Sequence, residues 1–194
     1  MASSQPTIVL ASGSPRRREL LKRLGLPFVV KPPAVEEERW PGEDPPATAR
    51  RLAGLKARAA AGEWVVAADT IVELNGLVLG KPRDTGENLE YLRLLSGRTH
   101  LVHTGLAVTG PDGGEETVST TRVTFRELAD WEMQAYAASG EGLDKAGGYG
   151  IQEKGMALVA GIEGDFFTVM GLPVSALWTG LGKLGYPLAE VWRA

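Results

Sequence analysis

Residues 99–128 hold two long β-rich stretches, THLVHTGLAVTG and ETVSTTRVTFREL, on either side of the turn PDGGE. Segments of that length, rich in Val and Thr and joined by a glycine-containing turn, are expected to pair antiparallel. Upstream the pattern differs. TIVLAS reads as a buried first strand, a helix starts at Pro15, and FVVKP reads as a second strand. Strands separated by helices pair parallel. A chain holding both patterns is constrained to an α/β fold with a mixed β-sheet flanked by helices.

The remaining segments fit that frame. A helix is expected from about Ala47 to Ala61, with Leu52, Leu55 and several alanines on one face. EWVVAADTIVELNGLVLGKP reads as a strand and a hairpin turned at Asn75-Gly76, the pair best suited to a two-residue turn with positive φ. A capped helix starts near Asp84, and ADWEMQAYAAS is helical. GEGLDKAGGYGIQEKG crosses as a glycine-rich loop, MALVAGIEG and FFTVMG read as strands, and a closing helix starts at Pro173.

At 194 residues the chain suits one domain or two closely joined lobes, and can bury a substantial core. Hydrophobic content of 43% with 23% charged residues reads as a soluble globular protein. No apolar run approaches the ~20 residues needed to span a bilayer, and MASSQPTIVLAS lacks the basic and apolar regions of a signal peptide. The absence of cysteine removes disulfides and thiolate metal sites and fits the cytoplasm. Net charge of −3 argues against a general nucleic-acid coat. Phosphate-loop, dinucleotide and zinc-protease motifs are absent, and His100 and His103 fall on opposite faces of a strand. No serine has a credible base partner, which disfavours a serine hydrolase.

Six places carry candidate chemistry. In LASGSPRRREL, Ser14 suits a helix N-cap and Pro15 the first helical position, so Arg16, Arg17 and Arg18 crowd the end of the helix that disfavours cations. Guanidinium forks and backbone N–H groups there, with Ser12 and Ser14, make an anion site suited to phosphates. Successive helical residues splay by about 100°, so two of the three arginines can face one ligand. Asp69 ends the apolar run WVVAA, where a carboxylate is costly unless paired, exposed or on a metal. Thr70 beside it either orients a ligand or simply fits the strand. Glu36, Glu37 and Glu38 form an acidic run that reads as a solvated loop or as help in holding Mg²⁺. Lys56 and Lys81 suit surfaces or phosphates, Lys81 being framed by Gly80 and Pro82. In DKAGGYGIQ, glycines allow close backbone approach to a ligand, and Gln152 presents the donor and acceptor that suit a base edge.

In order along nearly the whole chain, LASGSPRRREL, AADTIV, LGKPRD, SGRTHLVHTG, TRVTFREL, LDKAGGYGIQ and VMGLPVSAL resemble the Maf family of nucleoside triphosphate pyrophosphatases, once labelled septum-formation inhibitors. The resemblance implies a single domain over residues 1–194, two lobes around a cleft in a fold resembling the inosine triphosphate pyrophosphatases, and a homodimer. It implies hydrolysis of a triphosphate to the monophosphate and pyrophosphate with a divalent cation, Mg²⁺ or Mn²⁺. Carried over, Ser12, Arg16 and Arg17 match the phosphate-binding loop, Lys56 and Lys81 the phosphate lysines, and Asp69 the general base. Glu36, or Glu37 in the same run, falls at the acidic position near the metal, with Asp69. Arg16, Thr70 and Gln152 match positions tied to substrate choice, and Y-G-I-Q marks the branch acting on dTTP and UTP. Gly142, where relatives often carry proline, and GDFFTVMG depart from the family pattern. The rival readings are a 7-methyl-GTP pyrophosphatase, a nucleotide sensor of cell division that does not hydrolyse, and a structural or RNA-binding module.

Overall fold

The computed structural model describes residues 5–192, so the first four residues of the N-terminal stretch lie outside it. Strands β1 (Ile8–Leu10), β2 (Phe28–Val30), β3 (Trp64–Leu74), β4 (Leu77–Leu79), β5 (Thr99–Gly110), β6 (Gly113–Phe125) and β7 (Val159–Glu163) form a mixed sheet in the order β2-β1-β3-β5-β6-β7, with β4 paired to β3. Helices are α1 (Pro15–Arg23), α2 (Pro45–Ala59), α3 (Thr85–Leu95), α4 (Asp130–Ala138), α5 (Phe166–Met170), α6 (Val174–Lys183) and α7 (Leu188–Val191). The chain divides into two compact units, and β3, β5 and β6 each contribute residues to both.

The first unit runs through Asp69 and adds Thr104–Ser119 and the chain from Gly171. Here β1 pairs parallel with β2 and with β3, Ile8 facing Phe28 on one side and Trp64 on the other. Parallel pairing requires crossovers, and α1 and α2 supply them. One core cluster consists of small side chains, Ala11, Ala53, Ala57, Ala67 and Ala107 with Val9 and Val65. Small residues bring helix and strand backbones close together. At Gly105 an added Cβ would collide with the backbone of Ala49 in α2.

The second unit, Thr70–His103 with Thr120–Met170, is built on antiparallel pairing. The β3–β4 hairpin turns at Asn75 (φ 50°) and Gly76 (φ 85°), the positive-φ pair expected from the sequence. Asp84 caps α3 by accepting from the Glu87 N–H at 2.8 Å. Leu92, Leu95, Val123, Phe125, Met133 and Tyr149 share its core. β7 pairs antiparallel with β6, Val123 facing Ile162.

Three local expectations need correction. FFTVMG is helical (α5), because the Asp165 carboxylate accepts from the N–H groups of Phe167 (3.2 Å) and Thr168 (2.8 Å) and so caps a helical turn. Aromatic and β-branched residues favour a strand, and the cap overrides that propensity. The start of MALVAGIEG lies in a 3₁₀ turn, Lys154–Leu158, and only Val159 onward forms a strand. Ser14 occupies the N-cap position of α1, yet its side chain makes no capping bond. α7 was not expected.

Candidate active site

In the first unit β1 delivers Ser12 to the start of α1, and β3 delivers Asp69. The three arginines of α1 differ in exposure as the helical splay requires: Arg16 is half-buried, Arg17 buried and Arg18 exposed. The Arg17 guanidinium turns into the protein. Its Nε donates to the Gly171 carbonyl at 2.7 Å, and its Nη1 donates to the Ala68 carbonyl at 2.6 Å and to Ser12 Oγ at 3.1 Å. Burial pushes its pKa below the usual arginine range, and the nearby Asp69 carboxylate opposes that shift. Arg17 thus ties the middle of β3, at Ala68 beside Asp69, to the loop that carries Ser12. Ser12 Oγ also accepts from the Ser14 N–H at 3.2 Å.

Asp69 and Lys56 are each 7% exposed. Lys56 projects from α2, and its Nζ donates to Asp69 Oδ1 at 2.6 Å and lies 2.9 Å from Glu37 Oε1. One ammonium therefore bridges two carboxylates. That arrangement answers the cost of burying a carboxylate in the middle of β3, where the strand continues past the apolar run to Leu74. All three glutamates of the acidic run are exposed, and Glu37 is the one that reaches Lys56. Arg51 of α2 fastens the same loop. It pairs with Glu43 at 2.7 Å, donates to the Glu38 carbonyl at 2.9 Å, and stacks 4.0 Å from the Trp40 ring centre.

The other expected site residues belong to the second unit. Thr70 follows Asp69 in β3 and is half-buried. Lys81 is exposed just after β4, and the Gly147 N–H donates to the neighbouring Gly80 carbonyl at 3.0 Å. That bond joins the Lys81 segment to the glycine-rich loop. Gly147 and Gly148 have φ of 73° and 72°, and a Cβ on Gly147 would press on Val72. In the same loop Gln152 is half-buried, with Oε1 fully buried and lacking a hydrogen-bond partner among the described residues. His100 and His103 serve separate structural bonds, His100 to the Tyr149 hydroxyl at 2.7 Å, and His103 to Thr120 and Glu73.

Two sets of residues escaped sequence reasoning. Gly171 contributes through a carbonyl, which side-chain reasoning does not register. Tyr136, Glu141 and Lys145 surround the Gln152 loop, and nothing in their spacing announces that they meet.

A family model for Maf-like proteins matches residues 7–184, which spans most of both units. The chain belongs to the Maf-like family. This Maf-like protein is 54% identical over 186 residues to the dTTP/UTP pyrophosphatase of Thermus thermophilus, covering 96% of this chain and 99% of the relative. It is 50% identical over 178 residues to the dTTP/UTP pyrophosphatase of Deinococcus radiodurans, covering 90% and 91%. Among solved structures it shows a slight likeness to the Ham1 protein of Staphylococcus aureus, with a TM-score of 0.44, 24% identity, and coverage of 64% and 72%.

Proposed function

We propose that this Maf-like protein hydrolyses dTTP and UTP to the monophosphate and pyrophosphate. The observation that carries the reading is the buried Lys56 ammonium held between Asp69 and Glu37. A cation fixed beside a buried carboxylate, next to an arginine-rich helix start, is equipment for a polyanion that must meet a base. The names of the relatives supply the nucleotide.

In this reading Asp69 takes a proton from the attacking water. The new P–O bond forms as the bond between the α and β phosphoryl groups breaks and pyrophosphate departs. Lys56 and Lys81 offset charge on the phosphoryl oxygens, Arg16 and the Ser12 hydroxyl hold the chain of phosphates, and Arg17 fixes Ser12 and the β3 backbone just before Asp69. Gln152 Oε1 accepts from the ring N–H of thymine or uracil, and Thr70 helps orient the substrate.

The donor set suits a divalent cation. Among the described residues no group of three or more His, Cys, Asp or Glu gathers to cage a metal. Lys56 engages one oxygen each of Asp69 and Glu37, which leaves the second oxygen of each carboxylate as a donor, and Mg²⁺ is commonly bound by one or two carboxylates plus substrate phosphates. Asp69 and Glu37 would hold Mg²⁺ or Mn²⁺, with Glu36 a neighbour in the same run. The ion when bound would neutralise the triphosphate. No helix among the described residues is long and apolar enough to cross a membrane. A cytoplasmic homodimer completes the reading, and light scattering tests the dimer.

The deciding experiment measures pyrophosphate release from dTTP, UTP, CTP, dGTP and 7-methyl-GTP with Mg²⁺, with Mn²⁺ and with chelator. Metal-dependent release strongest on dTTP and UTP is expected. Release from 7-methyl-GTP alone would keep the chemistry and reassign the substrate. Binding without release would replace the enzyme with a sensor.

A further inference from the structure

The loop that carries Gln152 is anchored on both sides of that residue by one pair of side chains. Tyr136, in α4, accepts from the Gly150 N–H at 3.0 Å and donates to Glu141 Oε1 at 3.0 Å. Glu141 in turn accepts from the Lys154 N–H through Oε2 (3.1 Å) and from the Gly155 N–H through Oε1 (3.0 Å). Gly150 lies two residues before Gln152, and Lys154 and Gly155 lie two and three residues after it. The phenol and carboxylate therefore span the turn from which Gln152 projects. Burial raises the Tyr136 pKa, so its hydroxyl keeps the proton it donates to Glu141.

The surroundings reinforce the pair. Lys145 is buried, and its Nζ donates to the Glu141 carbonyl at 2.5 Å and to Asp144 at 2.7 Å. Tyr149 is fixed by its bond to His100 and by an edge-on contact with Phe125, ring centres 4.8 Å apart. The anchoring is dense, yet Gln152 Oε1 at the centre is buried without a partner among the described residues. An unpaired buried acceptor costs free energy. Gln152 as a whole is half-buried, so its side chain is partly open to a ligand, and a small turn of the amide would give the enclosed acceptor a ligand's donor.

We propose that Glu141 and Tyr136 are positioning residues for nucleobase selection: together they hold the backbone on both sides of Gln152 so that its amide is preset for a pyrimidine edge. This rests on the reading of Gln152 as the base contact. Neither side chain is assigned to the phosphates or to the attacking water, so their loss should change which base is bound far more than how fast a bound substrate reacts.

The test uses the full-length protein and measures binding of the α,β-imido analogues of dTTP and dGTP by calorimetry, alongside kcat on dTTP. Glu141→Gln is expected to weaken the dTTP analogue about tenfold, the scale of one lost hydrogen bond. It should leave the dGTP analogue nearly unchanged and keep kcat on dTTP within about twofold of the parent. Tyr136→Phe, which releases Gly150 while keeping the ring, should shift selectivity in the same direction, and it serves should Glu141→Gln fail to fold. Adding Glu141→Gln to Gln152→Ala should produce no further change in selectivity. Equal weakening of both analogues, or an undiminished Glu141→Gln effect in the Gln152→Ala background, overturns the proposal. If Gln152→Ala alone leaves the ratio of the two affinities unchanged, the base-contact reading falls and the proposal with it. A selective Gln152→Ala beside a silent Glu141→Gln and a silent Tyr136→Phe overturns the positioning role alone.

Discussion

Lys56 Nζ lies 2.6 Å from Asp69 Oδ1 and 2.9 Å from Glu37 Oε1, so a single ammonium links the middle of β3 to the acidic loop. The two carboxylates come from segments 32 residues apart in sequence. Lys56 is the group through which they meet.

Replacing Asp69 by Asn keeps the shape of the side chain and removes the base. Turnover on dTTP should fall by roughly 10²-fold or more, the usual scale for a positioned acid–base group, while nucleotide binding persists. Single-turnover kinetics with a parallel binding titration checks this, and full activity in the variant would remove Asp69 from the mechanism.

Arg17→Lys preserves the charge and loses the fork. A lysine ammonium cannot reproduce the Nε and Nη1 geometry that now reaches Gly171, Ala68 and Ser12 together. Stability should drop by about 2 kcal/mol, the range for bonds from a charged donor, and turnover should fall as the β3 backbone at Ala68–Asp69 loosens. Urea denaturation and kcat on dTTP are the measurements, and a variant unchanged in both would show that charge alone suffices at this position.

Gly105→Ala tests the close approach of α2 to β5. The added Cβ would meet the backbone of Ala49 and lie 2.6 Å from the Arg50 nitrogen, with no flexible side chain to give way. A loss of about 1–3 kcal/mol is expected for such overpacking. A thermal melt equal to that of the parent would contradict this packing.

His100 makes stability depend on pH. Burial lowers its pKa from 6.5 to about 4, so the folded protein resists protonation that the unfolded chain accepts. The unfolded state binds the extra proton between those values. The His100 contribution is therefore complete above pH 6.5 and declines as pH falls towards 4. The full loss is about 3 kcal/mol. Urea midpoints at pH 7.5 and pH 4.5 should differ, and His100→Phe should flatten the slope between them. An equal slope in the variant would assign the acid sensitivity elsewhere.

The sequence was most legible where local chemistry decides conformation. Asn75-Gly76 named its own turn, because only residues at ease with positive φ close a two-residue hairpin. Asp84 named its own cap. Segment 166–170 misled because its aromatic and β-branched residues favour a strand, whereas the capping carboxylate of Asp165 lies just outside the run. Gly142 shows a different limit. A Cβ there would collide with the Gly148 carbonyl and lie 2.7 Å from Asn88 Oδ1, so this loop is built around a glycine for a reason that depends on residues far away in sequence.

By itself the sequence determined the mixed α/β class, the order of its elements as far as α4, the family and the identity of the residues with chemistry to offer. These follow from periodicity, turn residues and motifs, each of which acts over a few neighbouring positions or is read directly. Tertiary structure alone decided which of those residues meet. It turned Arg17 inward to carbonyls, chose Glu37 as the glutamate on Lys56, and brought Tyr136 and Glu141 together around the Gln152 loop. Such partnerships are set by burial and by the need to satisfy every buried polar group, and they depend on distances that no local pattern encodes.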